Sequence, residues 1–286
     1  MPCVIYLHGN CSSRVDALSA AQILLPMDIT VFAFDFSGCG NSEGEWVTLG
    51  YKEQEDLQTV INHLRSIRTV SLIGLWGRSM GAVTSIFYTA KEPAAITAMV
   101  LDSPFSSLHT LTLELVRTYS KIPVVIARIL MKFLRKSILS RTGMDIEKLN
   151  PIDHVAQCFI PSVFIMARGD DFVNPHHGED MYQLYGGDKN LIYVEGDHNS
   201  ERPPFMNDSV SIFFHNAFQS QAYQTDDEPE LALPEISVLH PVITTAHISN
   251  EDYLFKLDRT LVAKHRMASA REESKEASTS SSDEGE

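Results

Sequence analysis

Cysteine, basic residues and long apolar runs are all scarce in this sequence of 286 residues. Its four cysteines show neither the close spacing of a zinc knuckle nor a C-x-x-C pair, so we expect reduced thiols rather than disulfides. No apolar segment approaches the roughly 20 residues that span a bilayer, and no signal peptide precedes the first apolar segment. These absences favour a cytoplasmic protein.

The shortage of basic residues also argues against nucleic acid as a partner. The chain carries 23 Lys and Arg against 37 Asp and Glu, a net charge of −14, and an acidic surface repels a phosphate backbone. From Gln219 onward there are 14 acidic and 6 basic residues, with proline early and serine late. We therefore predict a folded domain over 1–218 and an acidic, largely disordered tail over 219–286. Leucine spacing in the tail allows one short helix over 251–267.

Short apolar runs alternate with segments of helical periodicity, which predicts an α/β fold with a mostly parallel, doubly wound sheet. The runs are apolar along their whole length, as strands buried on both faces require. The predicted strands are Cys3–Leu7, Thr30–Phe36, Val70–Trp76, Ile96–Leu101, Ser162–Ala167 and Asn190–Val194. The predicted helices are Tyr51–Ile67, Ser79–Thr89, Glu179–Leu184 and Phe205–Phe218.

One connection, from about 106 to 159, is too long for a simple crossover, and we predict a helical cap insertion there. Within it, residues 123–141 have the pattern of a basic amphipathic helix. Two interpretations stay open. The apolar face of this helix either lines a pocket for an acyl chain or makes a peripheral contact with an anionic membrane.

The segment Gly77-Arg78-Ser79-Met80-Gly81 matches G-x-S-x-G. It follows a predicted strand and precedes a predicted helix, which is the setting of a nucleophile elbow. The glycines allow a sharp turn that lifts the Ser79 hydroxyl above the edge of the sheet. We therefore predict Ser79 as a catalytic nucleophile.

Two backbone N–H groups are candidates for an oxyanion hole. In folds with this elbow, one donor follows the nucleophile and the other belongs to an upstream loop after a strand. Here the donors would be Met80 and Asn10, because the strand Cys3–Leu7 runs into His8-Gly9-Asn10. We expect His8 itself to stabilise the loop.

The predicted general base is His198, which follows the last predicted strand in a loop that opens above Ser79. His176 and His177 are rival histidines at the start of a helix. We prefer His198 because the base comes last along the chain in this kind of fold.

The acid is expected in the loop after Ser162–Ala167, where two carboxylates are adjacent. The apolar pair Phe172-Val173 favours Asp170 as the acid, and Asp171 is the alternative if Pro175 sets the register. Asp102, after another strand, is a third candidate. The order Ser79, Asp170, His198 differs from the orders in chymotrypsin and subtilisin.

These motifs together resemble the α/β-hydrolase superfamily, in the branch grouped with serine aminopeptidase S33, monoacylglycerol lipase and cinnamoyl esterase-like proteins. The segment 34–42 looks like the D-x-x-G-x-G-x-S motif of that branch. A eukaryotic set, common in plants and protists, is similar in the strings Leu75–Gly81, Asp102–Ser107 and Asp197–Ser200. The resemblance covers about residues 2–218.

In one respect the sequence departs from that family, whose members have two or more strands before the His-Gly strand. Here the chain starts at that strand, and the resemblance implies that the missing pair would lie beside Thr30–Phe36. We therefore describe the fold as N-terminally truncated, on the hypothesis that Met1 is an internal or mis-assigned start.

The resulting functional prediction is a serine esterase, lipase or thioesterase that acts on a hydrophobic acyl substrate through an acyl-enzyme. It needs no metal and no organic cofactor. The alternatives are a serine aminopeptidase, which would require a carboxylate to hold the substrate amine, and a non-catalytic scaffold on a hydrolase fold.

Overall fold

A computed structural model describes residues 1–120 and 122–225 of the chain. These residues fall within one compact unit. The helix predicted over 251–267 lies outside the described residues and stays a prediction, as do the limits of the domain and the hypothesis about Met1.

Six parallel strands form the centre of the molecule, which confirms the predicted α/β class. The strands are β1 (Cys3–Leu7), β2 (Thr30–Ala33), β3 (Ile73–Arg78), β4 (Ala98–Asp102), β5 (Ser162–Ala167) and β6 (Lys189–Val194). Their order across the sheet is β2-β1-β3-β4-β5-β6. In this order β3 sits between β1 and β4, so the loops after these three strands meet at one edge of the sheet.

Seven α-helices are present among the described residues; six lie between strands along the chain and the seventh follows β6. They are α1 (Ala17–Leu24), α2 (Glu53–Ser66), α3 (Met80–Lys91), α4 (Leu108–Tyr119), α5 (Val124–Thr142), α6 (His176–Leu184) and α7 (Pro204–Thr225). Short 3-10 helices cover Arg14–Asp16, Leu25–Met27, Pro93–Ala95, Ile146–Lys148, Pro151–Asp153 and Val155–Gln157. Both α4 and α5 belong to the long connection between β4 and β5.

Apolar side chains cover both faces of the sheet, because alternate residues of each strand point to opposite sides. In β1, Ile5 and Leu7 join one buried cluster with side chains of α2, α3 and α6, whereas Val4 and Tyr6 join a second cluster with α1 and α7. The four inner strands β1, β3, β4 and β5 are therefore buried on both faces, which explains why their sequences are continuously apolar rather than alternating, whereas the edge strands β2 and β6 are only partly buried.

Two strand boundaries differ from the predictions by three residues, for local reasons, and the other boundaries agree to within two residues. The strand predicted to reach Phe36 ends at Ala33, and the Phe36 N–H donates to the Nε2 atom of His8 instead of to a neighbouring strand. The strand predicted from Val70 begins at Ile73. The Val70 N–H is used in a turn, where it donates to the carbonyl oxygen of Ile67.

Helix α6 begins at His176, three residues before its predicted start, and the larger differences from the predicted helices are at α1 and α7. Helix α1 was not predicted, although Ala17, Ala20, Ala21 and Leu24 are buried at helical spacing, because three alanines make a weak apolar signal. Helix α7 continues seven residues beyond Phe218, into the segment that we predicted to be disordered. Residues 219–225 contain no glycine or proline, and the first proline after Phe218 is Pro229. Nothing in this segment therefore stops the helix from continuing.

All four cysteines are free thiols, in agreement with the sequence analysis; Cys11 is exposed and the other three are buried. Among the residues that the structure describes, no helix combines the length and apolar character that crossing a bilayer requires.

Helix α3 crosses β1 at Gly81, and this contact generates a prediction about stability. A Cβ atom at Gly81 would overlap the backbone carbonyl of Leu7, which cannot move without disturbing β1. We expect Gly81→Ala to lower the free energy of unfolding by about 3 kcal/mol, the upper range for an overpacked core. Urea unfolding followed by circular dichroism measures this change.

Gly9→Ala is the matched control, because a Cβ atom there would make only ordinary contacts, at 3.7 Å or more. Its unfolding midpoint should stay within experimental error of the original chain. Equal stability of the two variants would contradict the close approach of α3 to β1.

Candidate active site

The backbone at Ser79 has the sharp bend expected of a nucleophile elbow. Its φ and ψ angles are 49° and −111°, a region that non-glycine residues rarely adopt. The Ser79 N–H donates to the carbonyl oxygen of Asp102 at 2.7 Å, and this bond ties the bend to β4. Gly77 and Gly81 leave no room for a Cβ atom, since each would overlap the backbone of the crossing segment. The bend is thus enforced by its surroundings.

Ser79, His198 and Asp170 form a chain of hydrogen bonds. The Nε2 atom of His198 lies 3.2 Å from the Ser79 Oγ atom, and its Nδ1 atom lies 2.7 Å from the Asp170 Oδ2 atom. A carboxylate only accepts hydrogen bonds, so the Nδ1 atom carries the proton and the Nε2 atom presents its lone pair to the serine hydroxyl. This is the tautomer that a general base requires.

Asp170 is itself held in place by the loop that follows it. Its Oδ1 atom accepts the N–H groups of Phe172 at 3.1 Å and Val173 at 2.7 Å, and the residue is only 3% exposed. The neighbouring carboxylate, Asp171, is exposed and makes no bond to His198. The geometry therefore brings Asp170, rather than Asp171, to the histidine.

The third acid candidate, Asp102, is engaged elsewhere. It forms a buried ion pair with Arg202, whose Nη2 atom lies 2.9 Å from the Asp102 Oδ1 atom. The Nη1 atom of the same arginine donates to the carbonyl oxygens of Asp197 and Ser200, both at 3.2 Å. Arg202 thus fastens the loop that carries His198 to the end of β4.

A second arginine, Arg78, also binds the loop that carries His198. The Nη2 atom of Arg78 donates to the carbonyl oxygen of His198 at 2.8 Å. Arg78 precedes the nucleophile directly, so the elbow and the histidine loop are connected by one side chain. Sequence reasoning missed the roles of both Arg78, at the end of β3, and Arg202, because a lone arginine carries no distinctive spacing.

The loop after β1 is fastened to the segment after β2. The His8 Nε2 atom accepts the N–H of Phe36 at 3.1 Å, so its Nδ1 atom carries the proton and donates to the Gly9 carbonyl oxygen at 2.8 Å. His8 is completely buried. These bonds fit the expectation that His8 stabilises the loop.

Asp35 anchors the same loop and explains the D-x-x-G-x-G-x-S segment. Its carboxylate accepts the N–H groups of Arg14 at 2.6 Å and Asn41 at 3.0 Å, and pairs with the Arg14 guanidinium. Burial alone would raise the pKa of Asp35, but these donors outweigh it and lower the pKa. Gly40 has a φ of 53° and packs against the carboxylate, leaving no room for a side chain.

The two predicted oxyanion donors, Asn10 and Met80, lie on opposite sides of the nucleophile along the chain. Met80 is the first residue of α3, so its N–H has no acceptor within the helix. Asn10 lines the same cleft as Ser79, and the neighbouring Gly9 is close to the Ser79 side chain. Their assignment as oxyanion donors stays a prediction.

A cleft of about 710 Å³ lies above the nucleophile. It mixes aromatic rings with charged and polar groups, including three carboxylates and one arginine. The lining residues are Tyr6, Gly9, Asn10, Cys11, Ser12, Asp16, Ser19, Arg78, Ser79, Tyr119, Asp171, Phe172, Asp197, His198 and Asn199. None of them belongs to α5, so this helix does not line the cleft as one interpretation of its sequence required.

The rival histidines form a separate cluster with Glu114 of α4. The Nε2 atoms of His176 and His177 lie 2.9 Å and 3.0 Å from its two carboxylate oxygens. Burial lowers the pKa of His177; burial would also lower that of His176, but the bond to Glu114 outweighs it and raises the pKa. The cluster joins the connection between β4 and β5 to α6, and takes no part in the bonds to Ser79.

Glu114, His176 and His177 are also the residues that could hold a metal ion, since their ligand atoms lie within 4.8 Å of one another. The His177 Nδ1 atom, however, accepts the backbone N–H of Ser106 at 3.3 Å. Its proton is therefore on the Nε2 atom, which donates to Glu114. The Ser106 Oγ atom also lies 2.7 Å from the Nδ1 atom, so hydrogen-bond partners surround both ring nitrogens of His177.

Comparison with proteins of known structure shows to which class of protein this chain belongs. The chain superposes on the esterase Pf2001 of Pyrococcus furiosus with a TM-score of 0.60 and 25% sequence identity, over 75% of this chain and 82% of that one. Together with the parallel sheet, this likeness identifies the protein as an α/β hydrolase.

A family model described as serine aminopeptidase, S33, matches residues 2–149. The chain belongs to this family. A second model, described as PhoPQ-activated pathogenicity-related protein, matches residues 88–238. The first match contains Ser79, and the second contains Asp170 and His198.

The curated relatives are longer than this chain. YqkD of Bacillus subtilis is 25% identical over 198 residues, which are 68% of this chain and 64% of that protein. Monoglyceride lipase of Rattus norvegicus is 30% identical over 157 residues, which are 50% of this chain and 48% of that enzyme. The chain thus spans between about half and two thirds of the length of these relatives.

The lowered pKa of Asp35 generates a prediction about how the free energy of unfolding depends on pH. Because its pKa is lowered on folding, the carboxylate stabilises the native state above the unfolded-state pKa of about 3.9, and this stabilisation is lost as the pH falls. We expect Asp35→Asn to be less stable than the original chain near neutral pH, and the difference to shrink below about pH 4. Urea unfolding across this pH range measures it.

Asp28→Asn serves as the control, because Asp28 is exposed and asparagine tolerates its left-handed backbone, with φ of 58°. This variant should track the original chain at every pH. A stability difference for Asp35→Asn that is constant with pH would show that its charge does not hold the loop.

Proposed function

We propose that this protein is a serine hydrolase that cleaves carboxylic ester or thioester bonds of a hydrophobic acyl substrate, with Ser79, His198 and Asp170 as its catalytic triad. The observation that carries the proposal is the continuous chain of hydrogen bonds from the Ser79 Oγ atom through both nitrogens of His198 to Asp170. The esterase and monoglyceride lipase relatives support the reaction class.

The first half of the reaction forms an acyl-enzyme. The Ser79 Oγ atom attacks the carbonyl carbon of the substrate while the Nε2 atom of His198 takes the hydroxyl proton. Asp170 stabilises the imidazolium that results, because its carboxylate is desolvated and already bonded to the Nδ1 atom. The same proton then passes to the alkoxide or thiolate that leaves.

The second half repeats these steps with water. His198 removes a proton from the water, the oxygen attacks the acyl carbon, and the proton returns to the Ser79 Oγ atom as the carboxylic acid leaves. In both halves a negative charge develops on the carbonyl oxygen. The N–H groups of Asn10 and Met80 would stabilise it, at roughly 3–4 kcal/mol for each donor.

A fluorophosphonate probe tests the triad, because it phosphonylates only an activated serine. We expect the original chain to be labelled at Ser79, Ser79→Ala to remain unlabelled, and Asp170→Asn to react more slowly by on the order of 10⁴ through loss of the correct tautomer. Mass spectrometry of the labelled peptide measures the site and the rate.

The matched control for this series is Asp171→Asn, which removes the neighbouring carboxylate and should leave the labelling rate within a few-fold. A folded chain that does not react would favour the non-catalytic scaffold. A rate that collapses in Asp171→Asn but not in Asp170→Asn would reassign the acid.

A second candidate function, serine aminopeptidase, is favoured by the carboxylates of the cleft. Asp197 accepts the N–H groups of Asn199 and Ser200, and Asp16 accepts the hydroxyl of Ser12. Asp171 is exposed at the cleft and is therefore the carboxylate best able to pair with a substrate amine. The description of the family model also names this activity.

Comparing p-nitrophenyl acyl esters with aminoacyl p-nitroanilides separates the two candidates. For an esterase, the esters are the better substrates and Asp171→Asn leaves their kcat/KM unchanged. For an aminopeptidase, Asp171→Asn lowers kcat/KM for the aminoacyl substrates about 10- to 100-fold, the value of a charged hydrogen bond. Asp188→Asn, at an exposed position before β6, is the control. Preferred hydrolysis of the aminoacyl substrates would contradict the proposed ester specificity.

A further inference from the structure

Helix α5 presents a large apolar surface to solvent. Five of its apolar side chains are between 48% and 70% exposed, whereas only Ala127 and Met131 are buried among its described side chains. These five residues are Val125, Ile126, Ile129, Leu130 and Phe133. Ile122, just before the helix, is also exposed. Adjacent exposed side chains of this size on one short segment mark an interaction surface rather than ordinary surface scatter.

The charge of α5 is the opposite of that of the whole chain. The helix contains five basic residues and no acidic residue, although the net charge of the protein is −14. One of the five, Arg135, is paired with Asp145 and Glu147. Arg128, Lys132, Lys136 and Arg141 are exposed, and none has an ion pair among the described residues. The surface therefore combines apolar side chains with positive charge.

The position of α5 connects this surface to the cleft. Tyr119, the last residue of α4, lines the cleft and is 62% exposed. Helix α5 begins five residues later, at Val124. Phe172, which also lines the cleft, is 45% exposed. The exposed end of α4 at the cleft is thus separated from the start of α5 by only four residues along the chain.

We propose that the exposed face of α5 docks on an anionic lipid surface. Apolar side chains would enter the boundary between headgroups and acyl chains, while the lysine and arginine side chains contact anionic headgroups. A second copy of this chain is a poorer occupant, because pairing two α5 helices would bring their positive charges together without an acidic partner on either helix. Docking holds the opening of the cleft against the lipid.

This proposal does not depend on the proposed reaction, since docking requires neither Ser79 nor the triad. It adds a source of substrate to the proposed function: an acyl group carried by a membrane would reach the cleft along Tyr119 without crossing water. Failure to bind lipid would leave the triad unaffected, and failure to hydrolyse esters would leave the docking unaffected.

Cosedimentation with vesicles tests the docking, using the full chain with Ser79→Ala so that no lipid is hydrolysed. We expect binding to vesicles of phosphatidylcholine and phosphatidylserine, little binding to phosphatidylcholine alone, and release as the salt concentration rises. Ile129→Ser combined with Phe133→Ser should abolish binding. Lys132→Gln combined with Lys136→Gln should lower the partition coefficient about fivefold for each charge, as ~1 kcal/mol for each charge implies.

Matched controls alter equally exposed residues elsewhere. Leu25→Ser with Ile212→Ser removes two apolar side chains, and Arg65→Gln with Arg68→Gln removes two charges. Both double variants should bind as the original chain does. Thermal unfolding verifies that every variant is folded.

Several results would overturn the proposal. The chain could remain in the supernatant with anionic vesicles, or bind neutral and anionic vesicles equally. The controls could lose binding as much as the α5 variants do. Sedimentation equilibrium without lipid could instead show a dimer that Phe133→Ser dissociates, which would assign the surface to a second copy of the chain.

Discussion

The site depends on one backbone constraint, the bend at Ser79. A non-glycine residue with φ of 49° and ψ of −111° is strained, and the surrounding contacts keep it there. The Ser79 N–H is bonded to β4, and glycines at positions 77 and 81 let α3 approach β1 and β3 closely. Relaxing the bend would withdraw the hydroxyl from the histidine and shift the first turn of α3. The packing of α3 against the sheet and the position of the Ser79 hydroxyl therefore depend on the same bend.

The groups that position His198 divide into two sets. Asp170 determines which nitrogen carries the proton, and the arginines at positions 78 and 202 determine where the loop lies, because they bind its carbonyl oxygens. Arg202 is in turn neutralised by Asp102, whose backbone oxygen also fixes Ser79. The end of β4 therefore contacts both the bend at Ser79 and the loop of His198, and this explains how residues 119 positions apart come within hydrogen-bonding distance.

The sequence predicted much of this arrangement because the parallel sheet has a strong pattern. Continuous apolar runs located all six strands, and the carboxyl ends of parallel strands bring their loops to one edge. The order of the strands predicted which loops carry the histidine and the acid, and the apolar pair Phe172-Val173 favoured Asp170 over Asp171. The predictions were wrong at two strand ends because other acceptors replace the neighbouring strand. The Phe36 N–H donates to His8, and the Val70 N–H donates within a turn. The contacts of Arg78 and Arg202 were missed because they join segments about 100 or more residues apart in sequence.

The helix α5 shows a different limit of sequence reasoning. Its composition indicated an amphipathic helix but left two directions open for the apolar face, toward a pocket or toward a membrane. The packing adds that Ala127 and Met131 face the protein while Phe133 is 70% exposed, and this exposure supports the proposed contact with a membrane. The lining of the cleft is rich in polar groups and contains no residue of α5.

The central claim is that the strained bend places the Ser79 hydroxyl between His198 and two backbone donors. A crystal structure of the protein after reaction with a fluorophosphonate tests it most directly. The account predicts phosphorus bonded to the Ser79 Oγ atom, with the phosphoryl oxygen about 2.7–3.1 Å from the backbone nitrogens of Asn10 and Met80. A phosphonate on another residue, or an oxygen that points away from both nitrogens, would contradict it.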